Sequence, residues 1–330
     1  MNKKVFDYFV DLDRVELPRE DGVLFCDNQQ IRLCENIKNG VNKYYIDRPV
    51  CKKFYGKDLI RPVHIAGYVS SKMYNDLGIL TPPQYIMKRP TQSTNPYVSS
   101  HATFLAQSVL TTGLVVKSAL KVFDDIRFPK ETHHPPTQIH NPPLAVLIKK
   151  WEILHNKNLQ NFFLEFCTPE CLDELIGLFL ADEVRGDADR HGLNYFFYKH
   201  MGSDKFEGII PIDLDNMGAV FYFNLAITKE DFNDIFITRK MSSYTPQQTS
   251  DPRTTHIDRI QNIINKLHSG NLSENNVQLL KSLLEYDFPE LTKKALASHS
   301  LFDEFHTKTY EPIANLWEYN RETLGHELGL

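Results

Sequence analysis

Residues 178–194 read LFLADEVRGDADRHGLN, and residues 209–218 read IIPIDLDNMG. Between them lie an aromatic strand candidate, Tyr195–Tyr198, and a short polar turn, Lys199–Gly208. The order is therefore helix, acidic loop, Asn194, strand, turn, strand, second acidic loop. The helix is the clearest element of the chain. Thr168 suits an N-cap, Pro169 the first helical position and Glu170 the positive end of the helix dipole. Leu172, Leu175, Ile176, Phe179 and Leu180 recur at helical spacing, and Gly186 ends the run. A hairpin of apolar strands after it brings the ends of both acidic loops to one side.

That layout suits phosphoryl transfer. A carboxylate has to orient or deprotonate an acceptor hydroxyl, while an Asn oxygen and a second carboxylate hold Mg²⁺ against a triphosphate. Asp189 and Asn194 are five positions apart, the spacing of the catalytic Asp and metal-binding Asn of protein kinases. Taken alone, Asp189, Arg190, His191 and Asn194 also suit an ordinary solvated turn, since Asp, Gly and Asn favour turns. The second acidic segment, following a hairpin, moves the reading towards a shared metal site. His191 reads as a loop-holding residue rather than a base. Asp182, Glu183 and Asp187 read as surface charges at the helix end, and Tyr195–Tyr198 as a core strand.

On these residues the chain resembles the atypical branch of the kinase superfamily: type II phosphatidylinositol 4-kinases, HipA-type bacterial kinases and related bacterial effector kinases. In that branch an apolar helix runs into an Asp-Arg loop with a later Asn, then a hairpin, then Ile-Asp or Phe-Asp. Residues 178–194 follow the pattern, and Pro211-Ile212-Asp213-Leu214-Asp215-Asn216 resembles its metal-binding segment. The resemblance implies a bilobal α+β protein-kinase-like fold, with a strand-rich N-lobe (1–118) and a helical C-lobe (119–330). It implies ATP and Mg²⁺ as cofactors, Asp189 as the catalytic residue, and Asn194 and Asp215 as metal ligands. Asp213 is the rival of Asp215. The implied activity is a Ser/Thr protein kinase, with phosphoinositide kinase and inactive kinase-fold binding module as alternatives. The stretch Gly67–Ile79 is similar to the helix that bears a glutamate paired with the ATP-binding lysine, and Gly67 stands where that glutamate is expected. Arg48 falls near the lysine's place, with Lys52 and Lys53 as alternatives, and Asn39-Gly40 is a poor substitute for a phosphate-covering glycine loop. The likeness is carried by Thr168–Gly218, with a weaker echo over Arg48–Ile79.

Outside this core the reading rests on patterning. Ile31–Cys34 and Tyr44–Ile46 are strand candidates around the Asn39-Gly40 turn signal, and Thr103–Val109 and Leu114–Val116 also read as strand. His64–Leu77 reads as helix, stopped by Gly78. The proline-rich 128–143 reads as a connector, and His133, His134 and His140 within it as solvent-facing rather than metal-binding. Helices are expected at Leu144–His155, at Ile257–His268 (capped by Thr255, apolar face Ile257, Ile260, Ile263, Ile264, Leu267), after Ser273, at Glu290–Ala297 and at Tyr310–Thr323. Residues 241–253 read as a polar loop.

With 330 residues, 42% of them hydrophobic, the chain can bury a large core. A net charge of −5 is not that of a nucleic-acid coat. The five cysteines, odd in number and widely spread, do not form a disulfide framework; Cys167 and Cys171 read as packing residues. The N-terminus lacks a secretory pattern, and Phe104–Phe123 is too polar for a membrane span. A reducing, cytoplasmic setting fits, and the effector resemblance adds action in a host cytosol. Lys149, Lys150 and Lys157 suit a solvated helix face or an anionic group, which makes an inositol polyphosphate activator conceivable beside a protein or phosphoinositide substrate.

Overall fold

A computed structural model of the chain describes residues 15–16, 23–26, 29–34, 41–46, 54–57, 62–81, 84–88, 103–108, 114–119, 122, 157–187, 190, 194–212, 214, 217, 256–298 and 305–330. The architecture is mixed α+β. Seven strands form one antiparallel sheet: β1 (Val15–Glu16), β2 (Val23–Cys26), β3 (Gln29–Cys34), β4 (Val41–Ile46), β5 (Phe54–Lys57), β6 (Gln84–Lys88) and β7 (Thr103–Ser108). The first five make a meander. Helix α1 (Pro62–Asp76) then intervenes, and the sheet continues β5-β7-β6, so β7 lies inside and β6 at the edge. The expected β3 and β4 are present, paired Ile31↔Ile46 through Cys34↔Lys43. Helix α1 buries Ile65, Ala66, Val69 and Met73 at helical spacing and is followed by Gly78 at φ +83.

A second, three-stranded antiparallel sheet has the order β10-β9-β8, from β8 (Leu114–Ser118), β9 (Tyr195–His200) and β10 (Gly208–Pro211). It packs with helices α2 (Lys157–Phe166) and α3 (Pro169–Arg185). Helix α3 begins and ends where its local signals place it. The Thr168 hydroxyl accepts from the Cys171 N–H at 3.2 Å, and Gly186 is left-handed at φ 70. Leu175, Leu178 and Phe179 are fully or almost fully buried, each worth about 1.5–3 kcal/mol of apolar transfer. Cys167 and Cys171 are free thiols in the same core, as expected of packing residues.

The remaining described helices are α4 (His256–His268), α5 (Glu274–Glu285), α6 (Phe288–Ser298), α7 (Glu311–Asn320), flanked by π-helical turns at His306–Tyr310 and Arg321–Gly325, and the short α8 (His326–Leu328). The expected helices at 290–297 and 310–323 thus extend or split slightly. Ser273 caps α5 by accepting from the Asn276 N–H at 3.2 Å, and it donates to Asp173 of α3 at 2.6 Å. Those two helices meet closely at Gly177, where a Cβ would lie 2.7 Å from Asn276 Oδ1. In α4 one expectation fails. Ile257 is 42% exposed, and His256 takes the first inward position, bonded to Asn320 Oδ1 at 2.9 Å. The stripe His256, Ile260, Ile263, Ile264 keeps helical spacing, so the buried face is rotated by one residue at its start. The expected 144–155 helix, the 128–143 connector with its histidines, Lys149, Lys150, Thr255 and the 241–253 loop lie outside the described residues.

Candidate functional site

The last turn of α3 carries Asp182, Glu183 and Arg185 into the interior. Asp182 and Arg185 are fully buried, and Asp187 is 1% exposed. This corrects the expectation of surface charges at the helix end. It also corrects the solvated-turn reading for two residues of the loop, because Arg190 and Asn194 are buried. The physical reason is a charge-balanced cluster of two guanidinium groups and two carboxylates within 182–190, tied to Ser70 and Tyr74, which lie far away in sequence.

Asp182 is the anchor. Its Oδ2 accepts from Arg190 Nε at 2.7 Å, and its Oδ1 accepts from the Tyr74 hydroxyl of α1 at 2.9 Å. Asp187 pairs with Arg190 Nη2 at 3.3 Å and more closely with Arg185 Nη2. Arg185 also donates through Nη1 to Ser70 Oγ of α1 at 3.1 Å and to the Leu214 carbonyl at 2.5 Å, and it lies over the Tyr74 ring. Arg259 of α4 donates to the Asp187 carbonyl at 3.1 Å and pairs with Glu183 at 3.3 Å. Burying such charges is costly, and the cost is met only because nearly every polar atom is paired. For Arg190 burial pulls the pKa down, but Asp182 and Asp187 outweigh it, so its affinity for the proton is raised and it stays cationic. Burial first, and then the Asp182 charge, hold the Tyr74 hydroxyl well above its ordinary pKa, keeping it a donor. Burial likewise raises Tyr195 at the start of β9.

The same cluster straps the two acidic segments together. Arg190 Nη1 donates to the Asn194 carbonyl at 2.5 Å and to the Ile212 carbonyl at 2.7 Å. The Ile212 N–H donates to the Asn194 carbonyl at 2.9 Å. Further on, Asp187 and Met217 form an antiparallel bridge. The stretch from Asp187 to Asn194 and the stretch from Ile212 to Met217 are thus tied to each other at both ends. Asp189, His191, Asp213, Asp215 and Asn216 lie between those ties, outside the described residues, as do Arg48, Lys52 and Lys53. Of the expected site residues, Asn194 is described. It sits immediately before β9, buried, with its backbone carbonyl at the centre of the strap. Among the described residues no group of three His, Cys, Asp or Glu side chains is arranged to hold a metal. None of the described helices is long and apolar enough to cross a membrane.

Sequence reasoning missed the roles of Ser70, Tyr74, Asp182, Arg185, Asp187 and Arg190 in this platform. The usable signal was charge density: four acids and two arginines within 182–190, at the end of a helix with an apolar face. Lys57 ends β5, the strand before α1, paired with Val41 and Leu105. A cavity of about 770 Å³ lies by the opposite end of α3, beside Glu170, Asp173 and Leu279.

No protein-family model matches the chain, and no curated protein matches it by sequence. Solved structures do resemble it. A Helicobacter pylori proinflammatory kinase, CtkA, aligns with a TM-score of 0.52 at 12% identity, over 89% of this chain and 92% of that one. HipA of Shewanella oneidensis MR-1, solved with HipB and its operator DNA, aligns with a TM-score of 0.42 at 12% identity, over 92% of this chain and 63% of that one. The weight rests on the first. With the mixed α+β architecture, it gives the chain a kinase-like fold. At this identity the likeness is one of fold.

Proposed function

We propose that this chain is an ATP- and Mg²⁺-dependent phosphotransferase, a bilobal kinase (N-lobe 1–118, C-lobe 119–330) acting on Ser or Thr hydroxyls of proteins. The observation that carries the reading is the strap between the two acidic segments, centred on the Asn194 carbonyl and closed by the Asp187–Met217 bridge. A kinase needs two acidic loops held side by side on rigid strands, and preorganisation of that kind supplies most of the electrostatic stabilisation in such sites. Asn194 and Asp215 hold Mg²⁺, with Asp213 the rival of Asp215. Amide and carboxylate oxygens are the hard donors this ion prefers. Asp189 orients the acceptor hydroxyl and takes its proton as that oxygen bonds to the γ-phosphorus and the bond to the β,γ-bridging oxygen breaks. Bound Mg-ATP supplies the phosphoryl group and the neutralising charge.

Arg48 is the proposed phosphate-binding cation from the sequence. Lys57 is its rival, since kinases carry that lysine on the strand before this helix, and β5 is that strand here. The Helicobacter protein is described as a proinflammatory kinase, which supports an effector in a host cytosol as the setting. The test is transfer of labelled γ-phosphate in Mg²⁺. Label should appear on the chain or a generic protein substrate, and Asp189→Ala should reduce it by about 10²–10⁴-fold with the fold retained. Unchanged labelling in that variant refutes the assignment. Labelling of phosphoinositide vesicles alone moves the acceptor to a lipid.

A second reading, a kinase-fold binding module without turnover, is favoured by α1. Gly67 is buried there, and the one acidic residue of the helix, Asp76, stands at its far end and accepts from Tyr286 at 2.5 Å. The glutamate that pairs with the ATP-binding lysine in kinases has no counterpart on this helix. A thermal shift with Mg-ATP and no turnover supports that reading.

A further inference from the structure

Arg259 lies on the inward stripe of α4, in register with His256, Ile260 and Ile263. Its Nη1 reaches the end of α3 twice, donating to the Asp187 carbonyl at 3.1 Å and pairing with Glu183 at 3.3 Å. Asp187 is the first residue beyond Gly186 and stands two positions before Asp189. Its N–H donates to the Asp182 carbonyl at 2.8 Å, its carboxylate is held by Arg185 and Arg190, and it bridges to Met217. Arg259 therefore grips, from a different helix, the residue at which the first acidic segment leaves α3 and is tied to the second. The same end of α3 is held from α4 by a second route. His256 bonds Asn320 at 2.9 Å, and Asn320 donates to the Val184 carbonyl at 2.7 Å.

A plainer role for Arg259 is stability alone, as one more ion pair in the core. Its geometry argues against that. The side chain is mostly buried, and its Nε is buried with no hydrogen-bond partner among the described residues. A guanidinium taken out of water with a donor unmet gains little over an apolar side chain of similar size. What the guanidinium does, and an apolar side chain would not, is fix a carbonyl. Glu183, on the last turn of α3, draws Nη1 to that end of the helix, and the same nitrogen meets the Asp187 oxygen. A carbonyl shares one rigid plane with the N–H that follows it, so a fixed oxygen fixes the peptide that leads from Asp187 towards Asp189. An error of about 1 Å in placing a reacting group costs on the order of 10²-fold in rate.

We propose that Arg259 is a positioning residue for phosphoryl transfer: its hold on the Asp187 carbonyl aims the segment that carries Asp189, so that α4 sets the catalytic loop. The role of Asp189 rests on the phosphotransferase reading, while the hold on Asp187 does not. Two measurements on the full chain test the proposal. Amide hydrogen exchange reports local opening without turnover, and it compares Asp187 with Leu178 in the middle of α3. In Arg259→Met the Asp187 amide should exchange at least about tenfold faster relative to Leu178. Arg259→Lys, which keeps a donor and the charge opposite Glu183, should return most of the protection. Steady-state transfer of γ-phosphate reads the consequence. Arg259→Met should lower kcat at least about tenfold with the KM for Mg-ATP within about threefold. Thr168→Ala, a stability loss at the other end of α3, should leave kcat unchanged. Unchanged exchange at Asp187 overturns the proposal. So does an unchanged kcat in an active chain, the result expected of a purely structural arginine, or a rise in KM alone, which would put Arg259 at the nucleotide. An unaltered chain that transfers no phosphate removes the phosphotransferase reading instead, and the exchange comparison still decides whether Arg259 holds the segment.

Discussion

Helices α1 and α3 are joined by buried side-chain hydrogen bonds and contribute to them in opposite ways. Helix α1 buries Gly67, Ser70, Ser71 and Tyr74, none of them charged. Helix α3 and the loop after it bury Asp182, Arg185, Asp187 and Arg190, all charged. In a kinase, one ion pair between the strand lysine and the helix glutamate links the small sheet to the catalytic loop. Here the charges lie on the α3 side, and α1 reaches them through the hydroxyls of Ser70 and Tyr74. The difference teaches that, of the two, the α3 side alone gives the strap between the acidic segments its charge. The link from α1 is correspondingly made by two uncharged side chains, each in one hydrogen bond with a charged partner.

The largest effect should come from removing a cation on the α3 side. Arg190→Met leaves Asp182 and Asp187 underpaired in the interior and releases the Asn194 and Ile212 carbonyls. A loss of about 3–5 kcal/mol is expected in urea unfolding. A loss below about 1 kcal/mol would mean that the cluster is wet rather than dry. On the α1 side, Tyr74→Phe deletes one neutral donor to a buried carboxylate and should cost about 1.5–3 kcal/mol. If Tyr74→Phe costs as much as Arg190→Met, the contrast between the two helices is void.

Smaller effects sharpen the contrast with purely local devices. Thr168→Ala removes the cap of α3 while leaving the strap at its other end untouched, and about 1 kcal/mol should be lost, read as a lower unfolding midpoint with unchanged denaturant slope. Smallest of all, Lys294→Ala breaks the exposed pair with Glu290 one turn away in α6. About 0.3–0.5 kcal/mol is expected, a shift at the limit of calorimetric resolution. The same pair of charge types is thus worth little in water and much beneath the acidic loops.

What the sequence discloses follows the range of each interaction. The bounds of α3 are legible because Thr168, Pro169 and Gly186 act on their own neighbours. Strands β3 and β4 are legible from the Asn39-Gly40 signal between them. Strand β5 is not, because four residues with a glycine, Phe-Tyr-Gly-Lys, carry no alternation, and with it the position of Lys57 escapes notice. The charges of 182–190 read as surface because their partners lie far off: Tyr74 bonds Asp182 across 108 positions and Ser70 bonds Arg185 across 115. No window along the chain holds both members of such a pair. Ile257 and His256 illustrate the same limit, since a histidine takes the inward place only because Asn320 stands 64 positions away to receive it.

The central claim is that the two strapped segments share one divalent cation with its nucleotide. Manganese bound in the presence of ATP, counted by electron paramagnetic resonance, addresses it directly, with Asn194→Ser altering the first segment and Asp215→Ala the second. Each substitution alone should weaken nucleotide-dependent manganese binding at least tenfold, and Asp213→Ala should do so only if it, rather than Asp215, is the ligand. Manganese affinity that survives the loss of Asn194, or of Asp213 and Asp215 together, would contradict the account.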